Sequence, residues 1–255
     1  MRILVLALFF VSLLSAKILI ASFNVQNLFD DKMDGTEYAD FKKGGKKNWN
    51  KEKYEKKIAA VSKDIKEINA DVILLLEIEN ERVLKELASR TGYEYSVFSR
   101  GNDKAPVGLG YLSKRQILSV KEYAVPRVKT RPILQIKVRE AGRELNLFGA
   151  HFPAMKNSLV KRLNAAKTML RAVHGVKNAI ILGDLNSNWD DKFLLKELKN
   201  DYTSIWQYKK GWNSYKSGGT IDHIMIKNDL ARAVSADFWV HKTKSSDHNA
   251  LSVQF

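Results

Sequence analysis

Near its end the chain carries Asp-His twice, as Asp222-His223 in GGTIDHIMI and Asp247-His248 in SSDHNAL. A carboxylate beside an imidazole can orient it and tune its proton near neutral pH, and the same pair can also be no more than a hydrogen-bonded strand end. Each pair adjoins an apolar run that reads as a strand, so these residues stand where a strand gives way to a loop. Other polar residues stop apolar runs in the same way: Asn24 in SFNVQN, Glu77 in LLLEIEN, His151 in FGAHFP, and Asp184 and Asn186 in ILGDLN. Taken singly, Asn24 caps a turn, Glu77 faces solvent, His151 closes a core edge and Gly-Asp-Leu-Asn makes a tight turn. Six such ends with acid, amide and imidazole groups are a poor match to coincidence. The absence of cysteine excludes disulfides, thiolate metal sites and a cysteine nucleophile.

The elements that must position these groups follow from periodicity. KILIASFNV opens as a strand, and from Lys51 to Asn69 the apolar residues Tyr54, Ile58, Val61, Ile65 and Ile68 recur every three or four positions, as on one helix face. DVILLLEIE reads as a buried strand and NERVLKELASR as a second amphipathic helix. Four strand-like runs follow (YEYSVFS, VGLGYLS, ILQIKV and ELNLFGAH), then the helix LVKRLNAAKTMLRAV. NAIILGDLN, TIDHIMI, ADFWVH and ALSVQF complete the strands. Helices after only some strands imply mixed sheets packed together and covered by helices. No internal repeat or Pro/Ser linker divides the chain, and DKMDGTEYADFKKGGKKNW is its one long polar loop. The lysines of that loop read either as solvated surface or as an extension of a phosphate-binding face.

At 255 residues and 45% hydrophobic the chain can bury a full core as one domain. Lysine and arginine number 43 against 28 acidic residues, a formal charge of +15, which favours polyanionic partners such as nucleic acid or anionic lipid. The opening MRILVLALFFVSLLSA has Arg2, an apolar stretch from Ile3 to Leu14, and the small residues Ser15 and Ala16. It reads as a secretory signal peptide over residues 1–16, too short for a comfortable membrane span, leaving residues 17–255 as the mature domain; the alternative is retention as an uncleaved anchor, since Leu14 stands where a small residue is commoner before a cut. Only Arg2 is lost with it, so the mature chain keeps +14. Export to the periplasm or the medium is the expected localisation.

The ordered series SFNVQN, LLLEIEN, GAHFP, GDLN, IDHI and SDHNAL resembles the endonuclease/exonuclease/phosphatase superfamily, over nearly all of the mature chain. No one of these motifs is specific; their order and spacing are. FNVQNLFD, HFPA and GTIDHIM are most similar to small exported bacterial nucleases in that superfamily. The resemblance implies an α/β fold, a four-layered sandwich of two packed mixed β-sheets flanked by helices, with the active site at one edge.

It also implies roles. Glu77 matches a metal-binding carboxylate, Asn24 its amide neighbour, and Asp247 an acid that can approach the same or a second metal. A set of oxygen donors without cysteine suits Mg2+, with Mn2+ or Ca2+ able to substitute. Asp184 matches the residue that orients or deprotonates the attacking water, and Asn186 a donor to a phosphate oxygen. His248 matches the imidazole at the scissile phosphate, Asp222 the acid that orients it, and His151 the proton source for the departing oxygen. Arg131, in KTRPIL, matches a phosphate-contacting arginine, whereas His223 has no counterpart role and is expected to be structural. The aromatics of IWQYKKGWNSY, interleaved with Lys209 and Lys210, either stack on bases or pack a loop. The implied activity is a secreted, monomeric endonuclease that hydrolyses DNA, and RNA in some cases, with little sequence specificity. The alternatives on the same fold are a sphingomyelinase-type phospholipase or a toxin-like subunit. No stable membrane insertion is expected once the leader is cleaved.

Overall fold

The structure is a computed structural model that describes residues 17–101 and 104–255; the signal peptide expected at residues 1–16 lies outside the described residues. In chain order the strands and helices are β1 (Leu19–Leu28), α1 (Lys51–Ile68), β2 (Val72–Ile78), α2 (Glu81–Thr91), β3 (Tyr95–Ser99), β4 (Gly108–Ser113), β5 (Ser119–Tyr123) and β6 (Ile133–Glu140). There follow β7 (Arg143–His151), α3 (Leu159–Val173), β8 (Ala179–Asp184), α4 (Lys196–Asp201), β9 (Tyr202–Ser204), β10 (Asp222–Lys227), α5 (Asn228–Ala233), β11 (Asp237–His241) and β12 (Ala250–Gln254).

The strands form two six-stranded sheets, β11-β12-β1-β2-β4-β3 and β5-β6-β7-β8-β10-β9. Each has one parallel pair at its centre, β1 with β2 and β7 with β8, and antiparallel neighbours around it. A parallel pair needs a crossover, and α1 and α3 supply the two crossovers. That is why helices follow only some strands. α1 starts where the Asn50 side chain accepts a hydrogen bond from the Lys53 amide, and it stops at Asn69, which turns left-handed with φ of 54°.

Alternation along the strands sorts the apolar side chains into three layers of core. Ile20, Leu74 and Leu76 of the first sheet meet Leu147, Leu182 and Ile224 of the second. On the outer side of the first sheet, Phe23, Ile73 and Leu75 pack against Ile58, Val61 and Ile65 of α1 and Val83 and Leu87 of α2. Phe148, Ile181 and Met225 do the same for the second sheet against Ala165, Met169 and Ala172 of α3. The expected helix–sheet–sheet–helix sandwich is the observed fold. Burying each Leu, Ile or Phe side chain contributes about 1.5–3 kcal/mol, so the inter-sheet layer is what holds the two strand edges in line.

Four elements escape the sequence periodicity. β5 is an edge strand with four consecutive exposed residues, and β9 has three residues. α4 and α5 have six residues each, too few to display a helical stripe. The polar loop after β1 is anchored by aromatic contacts, Phe29 to Phe41 and Phe41 to Trp49, with a short 3-10 turn over Ala39–Phe41.

Candidate active site

Three strands of the second sheet end level with one another. His151 of β7 and Asp222 of β10 are both register partners of Asp184 on β8, so three chemically active side chains form a row across adjacent strands. Gly183 makes this close approach possible. Its φ is +126°, and a Cβ there would lie 2.0 Å from the Ala150 carbonyl oxygen.

The first sheet supplies the facing side. Both β1 and β2 leave regular register beyond Asn24 and Leu76. Glu77 has a φ of 64°, and Gln26 and Asn27 have φ of 57° and 51°. Left-handed backbone at non-glycine residues costs of order 1–3 kcal/mol each, and here it turns the Glu77 carboxylate off the strand towards Asn24. Glu77 Oε2 accepts from the Asn27 amide at 2.8 Å, and Glu77 Oε1 accepts from Asn24 Nδ2 at 3.1 Å. The same Nδ2 donates to Asp184 Oδ2 at 3.2 Å, so the Asn24 amide joins the two sheets at their active edge. His151 Nε2 stands 3.9 Å from Glu77 Oε1 and 3.7 Å from Asp184 Oδ2.

The segment before β12 brings in the second Asp-His pair. His248 Nδ1 is 2.7 Å from Asp222 Oδ2, and Asp247 Oδ1, on a partly exposed carboxylate, is 3.8 Å from His248 Nε2. Ser246 fixes the turn: its hydroxyl donates to the Asn24 carbonyl at 2.7 Å and accepts from the His248 amide at 3.0 Å. Tyr215 bridges His248 in the backbone, and its ring packs on the imidazole at 5.0 Å.

The electrostatics follow from burial and charge sign. Burial pulls the His248 pKa down, but the charge and hydrogen bond of Asp222, with the charges of Asp184 and Asp247, outweigh it and raise it to about 9. His248 is therefore an imidazolium paired with Asp222 at neutral pH. His151 is held well below the usual imidazole range by burial, with the positive charges of Arg131 and His248 acting in the same direction. Asp184 is held well above the carboxylate range, first by burial and then by the charge of Asp222. Negative charge is thus in excess where Asp184 and Glu77 meet. Glu77 and Asp247 add hard oxygen donors, so this donor set fits a divalent cation; Asn24 turns its Nδ2 to Glu77 and Asp184 while its oxygen accepts from the Gln26 amide at 3.0 Å, so it would offer oxygen to an ion only with its amide turned over. Asp184, Asp222 and His248 also offer atoms that all lie within 4.8 Å of one another, although Asp222 and His248 already engage each other.

The structure thus gathers Asn24, Glu77, His151, Asp184, Asp222, Asp247 and His248 at one edge. Asn186 is in the left-handed region, its amide nitrogen donates to the Phe152 carbonyl at 3.0 Å, and its own N–H donates to Asp184 Oδ1 at 2.8 Å. Arg131 precedes β6, with Nε donating to the Val107 carbonyl at 3.3 Å, and its charge reaches His151. His223 is fully buried between the rings of Trp189 and Trp206, with Nε2 on the Ser187 carbonyl at 2.8 Å, in keeping with a structural histidine. Trp206 is buried too and donates from Nε1 to the Asp222 carbonyl at 2.9 Å. Tyr208 stacks on Phe238, and Trp212 is exposed.

Sequence reasoning missed three supporting cations. Lys57 of α1 donates to the Ser245 carbonyl, and desolvation lowers its pKa to about 8 against the charges of Asp247, Glu77 and Asp64. Lys216 donates to the carbonyls of Thr243 and Ser246, and Arg162 of α3 donates from Nη2 to the Asn186 carbonyl at 2.6 Å. Lys57 carried a readable signal. It stands on the helix face of Val61, Asp64 and Ile68, where a lysine needs buried partners.

The family model of the endonuclease/exonuclease/phosphatase family matches residues 19–246. Among solved structures, D. rerio TDP2 in complex with a single-strand DNA product is 17% identical, with a TM-score of 0.66, and the match covers 94% of this chain and 98% of that one. The human Nocturnin catalytic domain with bound sulfate is 15% identical, with a TM-score of 0.67 and 93% of each chain covered. An endonuclease/exonuclease/phosphatase family protein from Bacteroides thetaiotaomicron is 14% identical, with a TM-score of 0.63, covering 94% of this chain and 97% of that one. These likenesses are of fold. A comparison with curated proteins finds no significant match. With the fold, the site edge and a family match that spans most of its length, the chain belongs to the endonuclease/exonuclease/phosphatase family, whose members are hydrolytic phosphodiesterases that use divalent metal ions.

Proposed function

We propose that this protein is an exported, monomeric endonuclease that hydrolyses DNA, and RNA where it is offered, with little sequence specificity. The observation that carries the reading is the row of His151, Asp184 and Asp222, closed from the opposite sheet by Asn24, Glu77, Asp247 and His248. The net charge of +15 and the fold likeness to a TDP2 solved with a single-strand DNA product support nucleic acid over lipid as the substrate. Export rests on the leader at residues 1–16.

A phosphodiester already carries negative charge, so attack by water needs a neutralised phosphate, a positioned nucleophile and a proton for the leaving oxygen. Glu77 and Asp247 would hold Mg2+, joined by Asn24 with its amide turned to present oxygen, and the ion when bound supplies charge neutralisation at the phosphate. His248, kept protonated by Asp222, presents an N–H cation to a phosphate oxygen, and Asn186 offers its remaining amide hydrogen to another. Asp184 orients the attacking water and takes its proton. His151 is neutral in the free protein. The negative phosphate of a bound substrate would favour its protonated form, so His151 takes a proton from solvent as substrate binds and passes that proton to the departing oxygen. Arg131 contacts a flanking phosphate.

The test is plasmid nicking by the mature protein. Relaxation of supercoiled DNA with Mg2+, abolished by a chelator and restored by added Mg2+, supports the reading; undiminished nicking in excess chelator overturns it.

A further inference from the structure

The loop that follows β1 holds a second acidic cluster, apart from the active edge. Asp30 and Asp31 are matched by Arg82, at 2.6 Å and 3.0 Å. Asp34, Glu37 and Glu79 do not share that partner. Each of the three offers one carboxylate oxygen, and these oxygens lie within 4.8 Å of one another. Glu37 is held in place by the amides of Asp34 and Gly35, at 2.7 Å and 3.1 Å. Asp34 Oδ1 accepts from the amide and hydroxyl of Thr36 at 2.9 Å and 2.7 Å. The Arg100 guanidinium lies on the Glu79 main-chain carbonyl, and its charge also acts on Asp34.

The second observation is Glu79 itself. Its side chain is fully buried at 0% exposure. Oε2 accepts from the Asp30 amide at 2.6 Å, whereas Oε1 has no hydrogen-bond partner. An unpartnered carboxylate oxygen inside a protein bears its whole desolvation penalty, and natural folds resolve this with a donor, a water or an ion. Asp34 and Glu37 bring carboxylate oxygens within 4.8 Å of one Glu79 oxygen, and a hydrogen-bond donor on Glu79 would leave the repulsion among the three.

We propose that Asp34, Glu37 and Glu79 bind a Ca2+ ion that fastens the loop of residues 31–49 to the corner between β2 and α2. Ca2+ accepts six to eight oxygen ligands in adaptable geometry, as a short loop and a strand end can provide. Mg2+ demands near-octahedral order at shorter distance, which a loop with only one short 3-10 turn does not impose. The site is independent of the nuclease reading. Its effect is to give Lys42, Lys43, Lys46 and Lys47, all in the same loop, a fixed position on the molecule.

The experiment is limited digestion of the full mature chain by Lys-C, with cuts at those four lysines followed by mass spectrometry, in Ca2+, in Mg2+ and in neither. If cleavage requires the loop to detach, Ca2+ at a concentration 100-fold above its Kd slows it by about 100-fold. Equal Mg2+ should give little protection. Asp34→Ala, at an exposed position that folding tolerates, and Glu37→Gln should abolish the protection, while Asp247→Asn at the catalytic edge should retain it. Calorimetric titration with Ca2+ should count one ion fewer in Asp34→Ala than in the wild type. The proposal is overturned if Ca2+ leaves wild-type cleavage unchanged, if Mg2+ protects equally, or if Asp34→Ala is protected as well as the wild type.

Discussion

Asp222 and His248 meet at 2.7 Å, the carboxylate at the start of β10 in one sheet and the imidazole in the segment that leads into β12 of the other. The pair therefore links inter-sheet alignment to the protonation of a group at the active edge. His248→Ala and Asp222→Asn should each reduce nuclease turnover severely. The double variant should lose less than the two separate losses combined, by about 1–3 kcal/mol of coupling, as kcat/KM measured around the mutant cycle will show.

The same pair makes stability depend on pH. The His248 pKa is raised from 6.5 to about 9 in the folded protein, so its contribution is fully present below about pH 6.5 and fades as pH rises through 9. The contribution is on the order of 3 kcal/mol. Urea unfolding of the wild type should show this decline between pH 6.5 and 9, and Asp222→Asn should flatten it. An equally steep decline in Asp222→Asn would assign the effect to other groups.

Metal should act on the fold as well as on turnover. Mg2+ should raise the thermal midpoint of the wild type by relieving the repulsion among Asp184, Glu77 and Asp222. Glu77→Gln should lose both that rise and nuclease activity. Because Asp184 is held above the carboxylate range, Mg2+ affinity should weaken as pH falls, measurable by calorimetry across a pH series.

Gly183→Ala should be among the most damaging small changes. The added methyl would meet the Ala150 carbonyl at 2.0 Å in a backbone conformation that alanine resists, so a loss of more than about 3 kcal/mol is expected by denaturant unfolding. Activity measured on the fraction that folds should fall as well, since Asp184 is the next residue.

The positive charge should be visible in salt dependence. Each phosphate neutralised adds roughly 0.9 to the negative slope of log affinity against log salt on duplex DNA. Arg131→Ala should reduce that slope by about one for all sequences alike, measured with an uncleavable duplex. Asp184→Asn should keep the slope while abolishing turnover. A flat wild-type slope would favour a lipid phosphodiester over DNA.

Much of this site was legible because polar residues that interrupt apolar strands are conspicuous. Asn24, Glu77, His151 and Asp184 each end, and Asp222 begins, a run whose alternation or length already identified it as a strand. Their convergence was legible only through the family resemblance, since strand order is not written in local periodicity. The supports were harder to read. Lys57, Lys216 and Arg162 act through main-chain carbonyls, which carry no sequence identity. The left-handed turn at Glu77 was equally hidden, because a glutamate gives no local sign of positive φ. β5, exposed along most of its length, shows neither alternation nor an apolar run.

The pairing of β1 with β12 bears on when the enzyme can work. Asn24 is made early in synthesis, yet its carbonyl is held by Ser246, 222 residues further along, and β1 remains an open edge until β12 docks beside it. Contacts so distant in sequence form late and slowly. A partly made or unfolded chain therefore holds Glu77 and Asp184 without His248, and has no competent catalytic edge. For the exported nuclease proposed above, the consequence is that the chain spares the nucleic acid of the cell that makes it for as long as its last strand is kept from its first, as in a chain held unfolded for export.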